Sequence, residues 1–192
     1  MNRGMRETEG TAGAEDVELV RRARGGDHAA FRILVERYEG LVAGTVIGML
    51  GRGPDAEEIG QETFIRFWKA LDTFRGDSSV GTYLTRIAMN LSLNRIRQRT
   101  RWTRRFERDI PEDIADLAAS PERRVDEADR AAFVDRAIRS LKPEYRAVVV
   151  LRHVQGLSTR ETAEALSIPV GTVLSRLSRA QDRLRSVLGP VL

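Results

Sequence analysis

The chain has 192 residues, 41% hydrophobic and 31% charged, which supports one ordinary domain or two small ones and excludes wholesale disorder. It has no cysteine and only two histidines, His28 and His153, so disulfides, thiolate metal sites and a cysteine nucleophile are excluded, and neither histidine reads as half of a catalytic pair. Net charge is +4, and every basic residue except Lys69 and Lys142 is arginine, whose planar fork suits phosphates and guanine edges wherever it is concentrated.

Residues 1–15 are polar, glycine-bearing and aperiodic, so a disordered N-terminus is expected; they lack the apolar core of a signal peptide. No apolar run reaches the roughly 18 residues of a membrane span, "LVAGTVIGML" (Leu41–Leu50) included, and a cytoplasmic chain without membrane insertion is the expectation. Residues 16–104 read as a first helical module. Phe31, Leu34, Val35 and Tyr38 recur at helical spacing, and beyond the "RGPD" turn Ile59, Thr63, Phe67 and Leu71 line another face, widened by Phe64 and Trp68. "FRGDSSVG" (Phe74–Gly81) is a loop, followed by a helix running from about Thr82 to near Arg101.

Residues 105–127 hold two prolines, many acids and few large apolar groups, the composition of a flexible linker. Fully stretched it spans about 70–90 Å, at about 3.3–3.6 Å per residue. Residues 128–192 return to helical periodicity at Phe133, Ala137 and Leu141. Pro143 suits the first turn of a second helix that Gly156 can end. Ser158 and Glu161 form a capping box for a third, and Pro169 opens a fourth toward Leu188. The fold class expected is all-α: two small helical domains on a flexible linker, the C-terminal one a four-helix bundle.

In the last helix Val173, Leu177, Ala180 and Leu184 face inward, while Thr172, Arg176, Arg179 and Arg183 share another face beside Ser175. Small Ala163, the break at Ser167, and Ile168 match the spacing of a helix-turn-helix, whose second helix enters the major groove. Ser158, Thr159 and Arg160, at the start of the preceding helix, suit a backbone phosphate. An ordinary surface helix with wet arginines is the alternative.

The stretch "LSTRETAEALSIPVGTVLSRLSRAQDRLR" resembles the promoter-reading region four of sigma-70-type initiation factors, with "PVGTV-SR-SRA---L" its most specific part. Many relatives carry lysine or arginine after "GTV", where this chain has Leu174. "DAEEIGQETFIRFWKAL" (Asp55–Leu71) and "FRGDSSVGTYLTRIAMNLSLNRIR" (Phe74–Arg97) are similar to region two of the same family. Having only these two regions indicates the small extracytoplasmic-function group.

Apart from any family, Arg86, Asn90, Asn94, Arg97 and Arg101 form one polar, basic stripe opposite Leu84, Ile87, Ala88 and Leu91. Ser92–Arg108 carries seven arginines against one acid, with Trp102 and Phe106 interleaved, a composition suited to melted DNA through charge and stacking. The resemblance implies that the loop and the start of the next helix capture flipped −10 bases, with Arg75, Asp77, Ser78, Ser79 and Asn90 as candidates. Asp55 and Glu57 are explained by the helix dipole. Glu58, Gln61, Glu62, Ile65, Arg66 and Lys69 mix polar and apolar groups outside the core stripe, and there the resemblance implies docking on the polymerase β′ clamp.

The reading is a non-enzymatic alternative sigma factor without cofactor or metal. Its expected partners are core RNA polymerase (β′ clamp and β flap), promoter DNA and an anti-sigma factor. The alternatives are a conventional helix-turn-helix regulator of duplex DNA, which leaves the Asn90 stripe without a task, and a metal-dependent nuclease, for which no ligand set exists. Asp109–Asp116 are read from charge as a nucleic-acid mimic along the polymerase.

Overall fold

A computed structural model describes residues 4–106 and 127–189, all of whose regular structure is helical. The linker reading, including the acids at 109–116, falls outside the described residues. The helices are α1 (Gly4–Arg24), α2 (His28–Leu50), α3 (Pro54–Ala70), α4 (Val80–Phe106), α5 (Glu127–Ser140), α6 (Pro143–Val149), α7 (Thr159–Leu166) and α8 (Val170–Leu188).

α1 takes in most of the N-terminal stretch expected to lack structure. It is tied to α2 by ions as well as by the buried Leu19, Val20 and Ala23: Arg37 Nη1 donates to buried Asp16 at 2.6 Å and Nη2 to Glu15 at 2.9 Å, while the Tyr38 hydroxyl donates to the other Asp16 oxygen. Burial and the adjacent Asp16 carboxylate both push the Tyr38 phenol up.

α1–α4 enclose one core, in which Leu34, Val42, Val46, Phe67, Leu84 and Ala88 are almost completely hidden. The sequence spacing of α3 is realised, since Ile59, Thr63, Phe67 and Leu71 are all buried. The Thr63 hydroxyl is satisfied by the Ile59 carbonyl at 2.7 Å. The turn into α3 uses Gly53 at φ 144°, a conformation open essentially to glycine, followed by Pro54 in the first turn.

α5–α8 form the C-terminal bundle. The end of α6 widens into a π turn, with Gln155 N–H reaching the Val150 carbonyl at 2.9 Å, and Gly156 at φ 71° reverses the chain. The two modules are docked. Met49 of α2 and Met89 of α4 share a cluster with Ala147, Val150, Leu151 and Ala165, with Leu93, Ile96 and Leu166 at its margin. Gly48 lets this happen, because a Cβ there would lie 2.9 Å from both Val150 methyl groups.

Arg146 bolts the junction. Its guanidinium donates to Met49 O at 2.6 Å, to Leu141 O at 3.1 Å and to Arg139 O, carbonyls at the C-terminal ends of α2 and α5. Such carbonyls lack helical partners and carry the negative end of the dipole, so a cation serves both needs. Burial, with Arg139 nearby, pulls the Arg146 pKa down from its ordinary value.

Candidate nucleic-acid and polymerase interfaces

The helix-turn-helix is built as its sequence prescribes. Ser158 Oγ accepts from Glu161 N–H at 3.2 Å, and Glu161 accepts from Ser158 N–H at 2.6 Å, closing the capping box of α7. Those hydrogen bonds hold the Glu161 carboxyl below its usual range. The turn passes through Ser167 in the left-handed region at φ 53°, and Ile168 N–H bonds back to Ala163 O at 3.0 Å. Val148, Ala163, Val173 and Leu177 pack between α6, α7 and α8 and fix the crossing.

That packing leaves Ser175, Arg179 and Arg183 exposed, while Thr172 and Arg176 sit half-buried at the flank of α8. Arg160 is exposed beside the cap, and half-buried Thr159 opens α7. In the cap the Ser158 hydroxyl only accepts and keeps its O–H to donate, so at this end a phosphate would meet that hydroxyl, Arg160 and free backbone N–H groups.

In the first module Phe74 is buried, stacked edge-on against Tyr83 at 5.0 Å and Phe67 at 6.0 Å, and Val80 is buried at the other end of the loop. Between these anchors Arg75, Asp77 and Ser79 are exposed and Ser78 is half-buried. Ser79 Oγ accepts from Thr82 N–H at 3.1 Å and so caps α4. A cavity of about 240 Å³ opens beside the loop, lined by Phe74, Arg75, Asp77, Ser78, Tyr83, Arg86 and Glu164.

Arg24 escapes the sequence reading. It donates to Leu71 O at 2.6 Å and to Phe74 O, clamping the root of the loop. In the sequence it is only one of a run of arginines, because its partners are backbone carbonyls with no local signature.

α4 carries three faces. Leu84, Ala88 and Leu91 enter the first core; Asn90, Asn94, Arg97 and Arg101 are exposed; Thr85, Met89, Ser92 and Ile96, spaced at i, i+4, i+7 and i+11, form a third stripe whose Met89 and Ile96 join the docking cluster. Asn94 accepts from Arg97 at 3.0 Å. Arg86 departs from the expected stripe, since its guanidinium turns toward α7, 3.9 Å from the Glu164 carboxylate.

On α3, Gln61, Ile65, Arg66 and Lys69 are exposed, Ile65 at 46%, and Glu62 is half-buried and paired with Arg66 at 2.7 Å. Glu58 is engaged by Arg95 at 2.6 Å, and Arg95 also holds Asp55 at 2.5 Å, with Arg99 on the other Asp55 oxygen. These acids therefore brace α3 against α4, and among the described residues no group of three potential ligands is placed to hold a metal. Nor is any described helix long and apolar enough to cross a membrane.

Residues 34–102 match the model of Sigma-70 region 2, and residues 134–184 match Sigma-70, region 4. The chain is 34% identical over 187 residues to the RNA polymerase sigma-H factor of Pseudomonas aeruginosa, covering 93% of this chain and 96% of that one. It is 35% identical over 184 residues to the ECF RNA polymerase sigma-E factor of Escherichia coli, covering 92% and 96%.

Among solved structures, CnrH in complex with the cytosolic domain of CnrY superposes with a TM-score of 0.68 at 26% identity, over 93% of this chain and 99% of that one. The sigma factor RpoE of Bartonella quintana, in complex with the anti-sigma factor NepR, shares the fold with a TM-score of 0.66 at 22% identity, over 84% and 98%. Two regions in the same order, placed on the helices that carry the loop and the helix-turn-helix, decide the assignment: the chain belongs to the sigma-70 family, as an alternative sigma factor of its extracytoplasmic-function group acting in transcription initiation.

Proposed function

We propose that the chain divides promoter recognition between its modules while both ride on core RNA polymerase. α8 enters the major groove of the −35 duplex, with Arg176, Arg179 and Arg183 on phosphates and base edges, and Ser158, Thr159 and Arg160 on the backbone. The loop with Arg75, Asp77, Ser78 and Ser79, and the α4 stripe from Asn90 through Asn94, Arg97 and Arg101, hold the opened −10 element. Gln61, Ile65, Arg66 and Lys69, flanked by Glu58 and Glu62, meet the β′ clamp, and the C-terminal module meets the β flap. The factor performs no catalysis and acts in the cytoplasm.

One observation carries this reading: the arginines are sorted. Arg24, Arg37, Arg95 and Arg146 are committed to internal carbonyls or carboxylates. Arg75, Arg101, Arg160, Arg176, Arg179 and Arg183 make no hydrogen bond or ion pair among the described residues. Among the described residues Arg52 is unpaired as well and Arg97 bonds only to Asn94 of its own stripe, but the largest set of uncommitted guanidinium groups lies on these two faces, which suits a polyanion contacted twice.

Docking of the modules bears on the sequence of events. Glu164 closes the loop cavity and pairs with Arg86, and a carboxylate there repels nucleic acid, so the modules part when polymerase and promoter are engaged. CnrH and RpoE were each captured with a second protein. An anti-sigma factor that covers both modules is the corresponding partner here.

The test uses the full chain with core polymerase on a responsive promoter. Asn90→Ala is expected to lower permanganate reactivity of −10 thymines and to weaken holoenzyme binding to a pre-opened template at least as much as to duplex. Arg179→Ala is expected to weaken duplex promoter binding and to reduce the slope of log affinity against log salt by about one. Wild-type behaviour of both variants contradicts the site assignment.

A further inference from the structure

We infer that Leu174 is a specificity residue that reads a thymine 5-methyl group in the −35 duplex; the inference rests on the placement of α8 in the major groove proposed above. Opposite the buried line of Val173, Leu177 and Ala180, the outermost line of α8 is Gly171, Ser175 and Ser178, all exposed. At Gly171 a Cβ would meet nothing within 4 Å. Small side chains there let the helix backbone approach a groove floor.

Leu174 borders that line on one side and Arg179 on the other. Leu174 is 55% exposed and belongs to no core cluster of the described residues, and Val170, one turn earlier, is 45% exposed. Both lie in the first half of α8, where a recognition helix presents its side chains to bases.

The surroundings choose between nucleic acid and protein. On α8 the exposed residues around Leu174 are Val170 and Gly171 a turn before it, Ser175 beside it and Ser178 a turn after it, so two apolar side chains stand in an otherwise small and polar surface, too little for an apolar docking patch. The major groove offers the matching surface: hydrogen-bonding edges interrupted by a single apolar group, the methyl of thymine. A lysine or arginine at this position would seek guanine or phosphate. Leucine cannot accept or donate, so it discriminates by the methyl alone, and 5-methylcytosine, which bears its methyl on the same ring carbon, satisfies it equally.

The experiment selects duplexes from a randomised −35 pool with the full chain assembled on core polymerase, then replaces each selected thymine by deoxyuridine. The expected result is one thymine whose replacement weakens wild-type binding about fourfold, the worth of one methyl removed from water. Leu174→Ala, exposed and helix-compatible, is expected to bind the thymine and deoxyuridine duplexes equally. Indifference of the wild type to every replacement overturns the assignment. So does a Leu174→Ala variant that keeps the preference, or that loses affinity for polymerase instead, which puts the residue in a protein interface. If the pool yields no enriched sequence, the −35 reading of α8 fails and the assignment falls with it. If a sequence is enriched but insensitive to the methyl, only the role of Leu174 is lost.

Discussion

Ser158 and Ser167 bracket α7 with opposite energetic signs. The capping box satisfies two N-terminal groups that would otherwise lack partners, and Ser158→Ala is expected to lower stability by about 1 kcal/mol in urea titration. Its pH dependence follows from Glu161, whose folded pKa lies below the ordinary 4.5. A depressed carboxylate stabilises the fold above its unfolded pKa and loses that contribution as pH falls through the folded value, so acid narrows the gap between wild type and Ser158→Ala. Ser167, held at φ 53°, adopts a backbone that costs an L-residue about 1–2 kcal/mol. Ser167→Gly is expected to match or exceed wild-type stability in the same titration, and clear destabilisation would show that the side chain does more than tolerate the turn. The capping box was legible because both partners lie within four residues of each other. Arg24 and Arg146 were not, because a guanidinium bound to distant carbonyls leaves no sequence pattern.

Among the elements, α4 shows how much a single period can carry. Its core stripe and its exposed Asn90 stripe were both legible, since each is chemically uniform. The third stripe was not: Thr85 and Ser92 interrupt Met89 and Ile96, and a mixed line reads as neither core nor surface. Those two buried hydroxyls make no hydrogen bond among the described residues, and an unsatisfied buried hydroxyl costs about 1–3 kcal/mol, so this face is poorly suited to permanent burial. Such a cost favours a docking that can be undone. α2 contributes the other side through Gly48. Gly48→Leu is expected to part the modules while raising the helix propensity of α2, so circular dichroism stays helical. In small-angle scattering the radius of gyration should then rise from the about 16 Å of a compact chain of 192 residues. An unchanged radius would mean that the interface tolerates the leucine and is looser than the contact with Val150 indicates.

For the whole molecule, two tethered helical modules were legible from composition alone, because a proline-rich acidic stretch separates two periodic halves. Their docking was not, since it depends on which faces remain apolar once each core has closed. On the proposed reading the docked pair is the factor alone and the two modules reach separate promoter sites when bound, which no regulator of duplex DNA requires. Run-off transcription by core polymerase on a genomic promoter library, with and without the chain, tests this most directly. The account predicts stable association with the core enzyme and new start sites that appear only when the chain is present. An unchanged set of start sites, or a core polymerase that does not bind the chain, would contradict it.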